Sequence, residues 1–521
     1  MAVSNLAGDR STDHGRERLW GWAALGLAVA GLLLRAALYF PLAAFPADAD
    51  GAVTGLCGLQ VLDGDLLVFS PDGTRHSAIR CYLAAGFFAL VGSGRAGLAL
   101  TGLTFEALFL LFMLLFLRTV LDPRRACLAM LFVVVPPVQV LIASYVPWGY
   151  GEVMAVGAAI LLLAALWRRA PTMWISFGFG LAAGLGLWFS LQTLMVSAPA
   201  GLWIAFRRRA AMMSEMGPAL LGAIIGFLPW LAYNFTQGFP SLTQNFATRP
   251  AASLAQVWDN VLYLLAYNLP LLLANGSSHH WGLANTALIL AYGLVALGVL
   301  LALRASATPL GEGEDVGSAV VLGVLVIGFS LLLCVVSEPG SVRGWTVRYI
   351  GPLYLVLPLL MAIGLWRLWQ TGRALAALPL ILLIGLNLSF YSLPGSASRE
   401  ALTAELAQHE RLRQRLTQAG IEAVVGDFWL TYHLNFDSRR ELVAVPFQRH
   451  SDYFTVWRSL PEKGVRWGMI ARSEDELRER AGRIGARGSI ADFEQLKLFL
   501  PDPPASALAT PDLLRALRGP R

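Results

Sequence analysis

Long apolar runs separated by short polar stretches fill the first three quarters of the chain, and a helix that crosses a bilayer needs roughly 20 apolar residues. On that measure the pattern predicts spans near 19–41, 97–117, 126–143, 151–167, 173–190, 192–206, 217–235, 284–303, 318–337, 348–366 and 374–393, about eleven in all. Pro136-Pro137 and Pro229 interrupt two of them, which a packed bundle tolerates when neighbouring groups take up the freed carbonyls. From Ser396 the pattern changes: charge becomes denser and the apolar runs shorten to strand length. Residues 398–418 read as an amphipathic helix stopped by Gly420, and 421–425, 441–446 and 465–471 as short strands. A further helix, 473–484, opens on Ser473 with acids in its first turn. The expected fold class is an all-α polytopic membrane protein, a transmembrane domain over 1–394, followed by a small extracytoplasmic α/β domain over 395–521.

Composition agrees. Of 521 residues, 56% are hydrophobic and 14% charged, where a soluble domain carries about 25% charged residues; mean hydropathy is +0.58. The net charge of +6 does not point to nucleic acid, because the bases lie in short clusters between apolar runs. Those clusters orient the chain. Arg10, Arg16 and Arg18 precede the first span; Arg118, Arg124 and Arg125 follow the second; Arg168-Arg169, Arg207-Arg208-Arg209, Arg304, and Arg367 with Arg373 mark later turns. With the N-terminus in the cytoplasm every cluster falls inside, and 42–96, 144–150, 236–283, 338–347 and the tail fall outside. Leu19–Phe45 exceeds the apolar core of a cleavable signal and reads as a signal anchor. The four cysteines show neither CxxC nor metal spacing. Cys57 and Cys81 share the first external segment, where a disulfide is conceivable; two free thiols on packed helices is the preferred reading.

Ionisable groups concentrate at the outer boundary. Asp48, Asp50, Asp63, Asp65, Asp72, Arg75, His76 and Arg80 all fall between residues 46 and 80. One acid there would be ordinary helix capping; a cluster running on into PDGTRHS calls for a function, such as a general base or a substrate ligand. Glu152 opens a span in YVPWGYGE, where a helix dipole stabilises an acid, yet an acid at membrane depth is a functional candidate by default. Arg343 and Arg348 lie in EPGSVRGWTVRYIGPLY. A guanidinium suits phosphate, and also suits snorkelling to lipid headgroups. Glu106 lies inside a span, and Arg35 could pair with it if their depths match. Adjacent His279-His280 make poor metal partners, and Asp48-Ala49-Asp50 and Asp63-Gly64-Asp65 are only weak metal signals. Trp148, Trp188, Trp230 and Trp345 fit an interfacial belt.

The order of these residues is itself informative. DGAVTGLCGLQVLDGDLLVFSPDGTRHSAIRCYLAAGFFALVG, with Asp50 after the first span, Val61-Leu62-Asp63-Gly64, Phe69 and Tyr82-Leu83-Ala84-Ala85, resembles the first extracytoplasmic loop of glycosyltransferase family 39 within the GT-C superfamily. The G-Y-x-E arrangement at Glu152, the Arg348-Tyr349 to Pro358 run and the tail segment GDFWLTYHLNFDSRRELVAVPF extend the resemblance. Two positions depart from the family: Gly51 where a Glu often stands, and Arg80 where a second acid is common. The resemblance implies inverting sugar transfer from a polyprenyl-phosphate donor, at the outer face of a bacterial inner membrane. It places Asp50 as catalytic base; together with the residue readings above, Asp48, Glu152, Arg75, His76, Arg343, Arg348 and Tyr349 are the expected substrate-binding residues, among membrane lipids, with no cofactor expected, a divalent metal left open but not indicated, and the acceptor a lipid, glycan or protein. A lipid-linked substrate transporter or flippase, or a non-catalytic relative, is the alternative; the chain shows no internal repeat, and its charge gathers at one face.

Overall fold

A computed structural model describes residues 5–43, 49–71, 76–145, 150–207, 209–242, 253–274, 282–306, 313–336, 345–391, 396–438, 442–447 and 466–502. By contact the chain divides into two compact units, one of 1–39, 102–145 and 149–392, the other of 40–101, 146–148 and 393–521. The segment leading out of the first span thus belongs with the tail.

In the first unit each predicted span has a helical counterpart. Six helices are long and apolar enough to cross a membrane: Glu17–Pro41, Arg95–Val120, Tyr150–Arg169, Glu215–Gln237, Leu283–Ala305 and Val316–Val336. Two spans are bent pairs, Pro123–Val134 with Val138–Ser144 at 71° and Tyr349–Leu355 with Leu357–Thr371 at 44°. The other three are shorter apolar helices, Met173–Phe189, Leu191–Phe206 and Arg373–Ser389. Their outward side chains, Leu220, Leu221 and Leu228 among them, are about half exposed, as suits lipid contact in a multi-pass membrane protein.

The break at Pro136-Pro137 is made good by distant side chains. Tyr354 Oη donates to Phe132 O at 2.9 Å, Arg35 to Val133 O at 3.0 Å and to Val134 O at 3.3 Å, Asn387 Nδ2 to Val135 O at 3.3 Å, and Tyr391 Oη to Pro136 O. Five successive carbonyls that a broken helix leaves in hydrocarbon are thereby satisfied. Arg35 Nε also lies 2.5 Å from Glu106 Oε2, with the two side chains 1% and 3% exposed. The two membrane charges do share a depth, and they pair.

Helices Met173–Phe189 and Arg209–Gln237 cross backbone to backbone. A Cβ on Gly180 would meet Ala219 O at 1.8 Å, on Gly184 Ala223 O at 2.2 Å, on Gly222 Phe177 O at 2.1 Å and on Gly226 Leu181 O at 2.4 Å. This is reciprocal small-xxx-small packing, which holds helices together where no hydrophobic drive exists between them. Gly184→Leu should therefore cost at least the roughly 1–3 kcal/mol of an overpacked core, read as a lower Tm in detergent. Gly217→Leu on the same helix, where a Cβ meets nothing within 4 Å, should leave Tm in place.

The arginine-rich helix ends also meet. Arg168 lies 3.9 Å over the Trp203 ring, Trp203 Nε1 donates to Ser318 O at 2.8 Å, and Arg125 lies 5.7 Å from the Trp366 ring. These contacts join chain turns that the charge pattern assigns to one side of the membrane.

One helical stretch escaped the sequence pattern. Leu254–Tyr263 continues through a π turn, Leu264–Asn268, into Leu269–Ala274, within the 236–283 segment read as an external loop. Asp259, Asn260, Asn268 and Pro270 interrupt its apolar run. Its start was nonetheless signalled by a capping box: Gln256 N donates to Ser253 Oγ, and Ser253 N to Gln256 Oε1.

The second unit holds a five-stranded sheet of order β2-β1-β3-β5-β4, with β1 Ala423–Gly426, β2 Val443–Pro446, β3 Trp467–Ala471, β4 Gly488–Phe493 and β5 Leu496–Pro501. β1 runs parallel to β2 and β3; β5 runs antiparallel to β3 and β4. β1 and β3 are buried throughout, as an interior parallel pair must be. Helix Ser396–Gln418 ends at Gly420, whose φ of +66° lets Ile421 N reach Leu416 O at 2.9 Å. Leu412 and Leu416 of that helix pack with Leu434 of helix Phe428–Asp437 against Val424 and Ile470 of the sheet. Glu474–Arg483 is the second helix expected from Ser473.

Candidate functional site

Asp50 stands in the first turn of helix Ala49–Leu62, where the helix dipole favours an anion, and is 4% exposed. That helix is buried from Ala49 to Gln60 although it carries Gly51, Gly55 and Gly58, each costing about 1 kcal/mol of helix propensity relative to alanine. Tertiary contacts hold it instead. The Phe436 ring lies against Gly55, so close that a Cβ there would sit 2.3 Å from Cε2, and Gly58 lies against Ala84 and Phe88 of helix Ile79–Val91. Ala49, Ala52, Val53 and Leu56 share a core with Ala84, Phe88, Tyr432 and Phe436.

The same packing corrects the expectation of free thiols: Cys57 and Cys81 form a disulfide, with Cα atoms 5.3 Å apart. Glycine at position 58 lets the two helices approach closely enough to join them. Hydrogen bonds hold the described parts of the connection between the helices. Tyr82 Oη donates to Leu67 O and accepts from Leu67 N, both at 2.9 Å. Ser70 N donates to His76 O at 3.0 Å, and Ala78 N to Val68 O at 3.1 Å. His76 is half-buried there, and Arg80, next to Cys81, is completely buried.

In the other unit Glu152 occupies the first turn of Tyr150–Arg169 and is 3% exposed. Tyr150 meets Tyr349 edge to face, ring centroids 6.1 Å apart. Ser144, Tyr150, Gln192, Gly351 and Pro352 line a small, partly open cleft whose remaining walls are mostly apolar. The G-Y-x-E turn and the run after Arg348, separated by two hundred residues of sequence, are thus brought together at one end of the bundle. Asp48, Arg75, Arg343 and the Arg348 side chain lie outside the described residues, as do Trp148 and His279-His280. Among the described residues no group of three His, Cys, Asp or Glu side chains is placed to hold a metal ion.

Sequence reasoning missed a histidine pair in the tail unit. His409 and His433 are 8% and 9% exposed, with rings 5.4 Å apart, beside an Arg95–Asp437 ion pair of 2.8 Å. Burial pushes His433 down to about 3, helped by His409 and the Arg95 guanidinium. Burial lowers His409 too, opposed by Glu405 and Asp437. An unfolded histidine takes up its proton near 6.5, whereas folded His433 waits until about 3. Acid therefore favours the unfolded state below pH 6.5. Between pH 7 and pH 5 the unit should lose about 2 kcal/mol of stability through His433, measured by denaturant melts at both pH values. His433→Asn should flatten that dependence, and an unchanged pH dependence in the variant would refute the assignment.

No family model matches the chain, and no curated protein matches it. Among solved structures it is similar to ArnT from Cupriavidus metallidurans bound to undecaprenyl phosphate, at 12% identity over 96% of this chain and 99% of that one, TM-score 0.46. It is also similar to the archaeal oligosaccharyltransferase AglB from Archaeoglobus fulgidus in complex with an inhibitory peptide and a dolichol-phosphate, at 12% identity over 94% and 77% of the two chains, TM-score 0.47.

Proposed function

We propose that this protein is a GT-C-type membrane glycosyltransferase that moves a sugar, with inversion, from a polyprenyl-phosphate donor to an acceptor hydroxyl at the outer face of a bacterial cytoplasmic membrane. The observation that carries the reading is Asp50: a carboxylate held almost fully buried at the start of a helix that tertiary contacts and a cross-link immobilise. It stands where the resemblance to the family 39 external loop puts a catalytic base. The disulfide supports the orientation, since such bonds persist in oxidising compartments outside the cytoplasm.

In this mechanism Asp50 takes the proton of the acceptor hydroxyl as its oxygen attacks the anomeric carbon. The carbon–oxygen bond to the donor phosphate breaks on the opposite side, and the departing lipid phosphate needs a positive partner, for which the sequence offers Arg343 and Arg348. Phosphate leaves readily once its charge is met, so positioning and charge stabilisation supply much of the rate and no general acid is obligatory. The sugar and acceptor contacts assigned from the sequence to Glu152, Tyr349, Asp48, Arg75 and His76 complete the proposal.

The test is release of free polyprenyl phosphate by purified protein in nanodiscs. It is supplied with sugar-polyprenyl-phosphate donors and membrane-extract acceptors, and the anomeric configuration of the product is determined. Movement of donor across proteoliposomes with no release of lipid phosphate would replace this reading with a transporter.

A further inference from the structure

We propose that Cys57–Cys81 is a positioning cross-link on which turnover depends, and that the protein reaches its working state only after a disulfide-bearing oxidant outside the cytoplasm has closed it. The proposal rests on the sugar-transfer reading only for its kinetic arm.

Cys57 lies two helical turns after Asp50 on the same helix, and Cys81 follows Arg80 on the next; both sulfurs are completely buried. The bond spans a sequence separation of 24 and closes the segment carrying Asp63, Asp65, Arg75 and His76. The helix it anchors is weak by itself, with three glycines in 14 residues. The packing contacts on it, Phe436, Ala84 and Phe88 among them, restrain a helix less firmly along its axis than a covalent bond does. Without the bond, the helix keeps its burial but loses its fixed register, and a misplacement of about 1 Å at a reacting group costs roughly a hundredfold in rate.

Closure is a two-electron oxidation. One thiolate attacks a protein disulfide of the oxidant to give a mixed disulfide, and the second thiolate displaces the oxidant. The two thiols lose two protons and two electrons, and the oxidant leaves as a dithiol.

Three measurements on the full chain test this. Alkylation of membranes without reductant, followed by mass spectrometry, should find a linked Cys57–Cys81 peptide pair; free thiols at both positions overturn the proposal whatever the protein's activity. Hydrogen exchange over 49–62 should rise at least about tenfold in Cys57→Ala/Cys81→Ala, while 150–169 stays protected. In the kinetic arm the same variant should lose roughly 10–100-fold in kcat with the donor KM within about threefold. Wild-type exchange and wild-type kcat in a folded variant would overturn the proposal. If the oxidised wild type releases no lipid phosphate at all, the sugar-transfer reading fails and the exchange arm still decides the cross-link's role.

Discussion

Asp50→Asn should lower the rate of lipid-phosphate release by roughly 10^2–10^4-fold, the range a positioned general base contributes. The substitution keeps the shape of the side chain and its capacity to accept a hydrogen bond, but removes the charge and the proton acceptor. Its structural cost should be small. Loss of a favourable dipole contact at a helix N-terminus is worth about 0.3–1 kcal/mol, and asparagine is well tolerated in the first turn. The variant should therefore melt within a few degrees of the wild type while kcat collapses and the donor KM changes little. Steady-state release of polyprenyl phosphate, alongside a thermal melt of the same preparation, separates the two effects. Turnover at the wild-type rate would remove Asp50 from the mechanism. A collapse of both activity and melting temperature would show that the acid builds the helix rather than the chemistry.

Arg35→Met should destabilise the membrane unit by about 3–5 kcal/mol, because it strands the Glu106 carboxylate without its counter-charge. A second consequence separates this arginine from an ordinary ion-pair partner. Removing both charges with Arg35→Met/Glu106→Leu would restore stability if the pair acted alone, since apolar replacements of buried pairs are often neutral. Arg35 also serves the carbonyls of Val133 and Val134, and each buried acceptor left unpaired costs about 1–3 kcal/mol. The double variant should therefore remain at least about 2 kcal/mol below the wild type. A double-mutant cycle of melts in detergent checks this, and full recovery in the double variant would reduce Arg35 to its ion pair.

The apolar runs of the first unit were legible because a membrane imposes one length on every crossing. The shorter helices Met173–Phe189 and Arg373–Ser389 still carried enough hydropathy to be seen. The 254–274 stretch did not, since its polar residues lowered the window average while its capping box passed unremarked. In the tail, β4 and β5 escaped notice because their hairpin lacks the usual turn residues. Phe493 pairs with Leu496, leaving Glu494-Gln495 as the loop, and Glu494 adopts a φ of +53° where glycine or asparagine would be expected. Local pattern singles out Asp50, Glu152 and Tyr349; the two acids are buried in the first turns of their helices, and Tyr349 meets Tyr150. The disulfide, the histidine pair and the cleft at Gln192 depend on contacts between residues far apart in sequence. No spacing rule reports such contacts.

The repaired break at Pro136-Pro137 has a consequence for biogenesis. Val135 and Pro136 rely on Asn387 and Tyr391, which follow 252 and 255 residues later. At 5–20 residues per second a ribosome needs roughly 10–50 s to make that stretch. For that interval the backbone of the bent pair lacks its final partners, so water or another protein must satisfy it until helix Arg373–Ser389 and Tyr391 have been made.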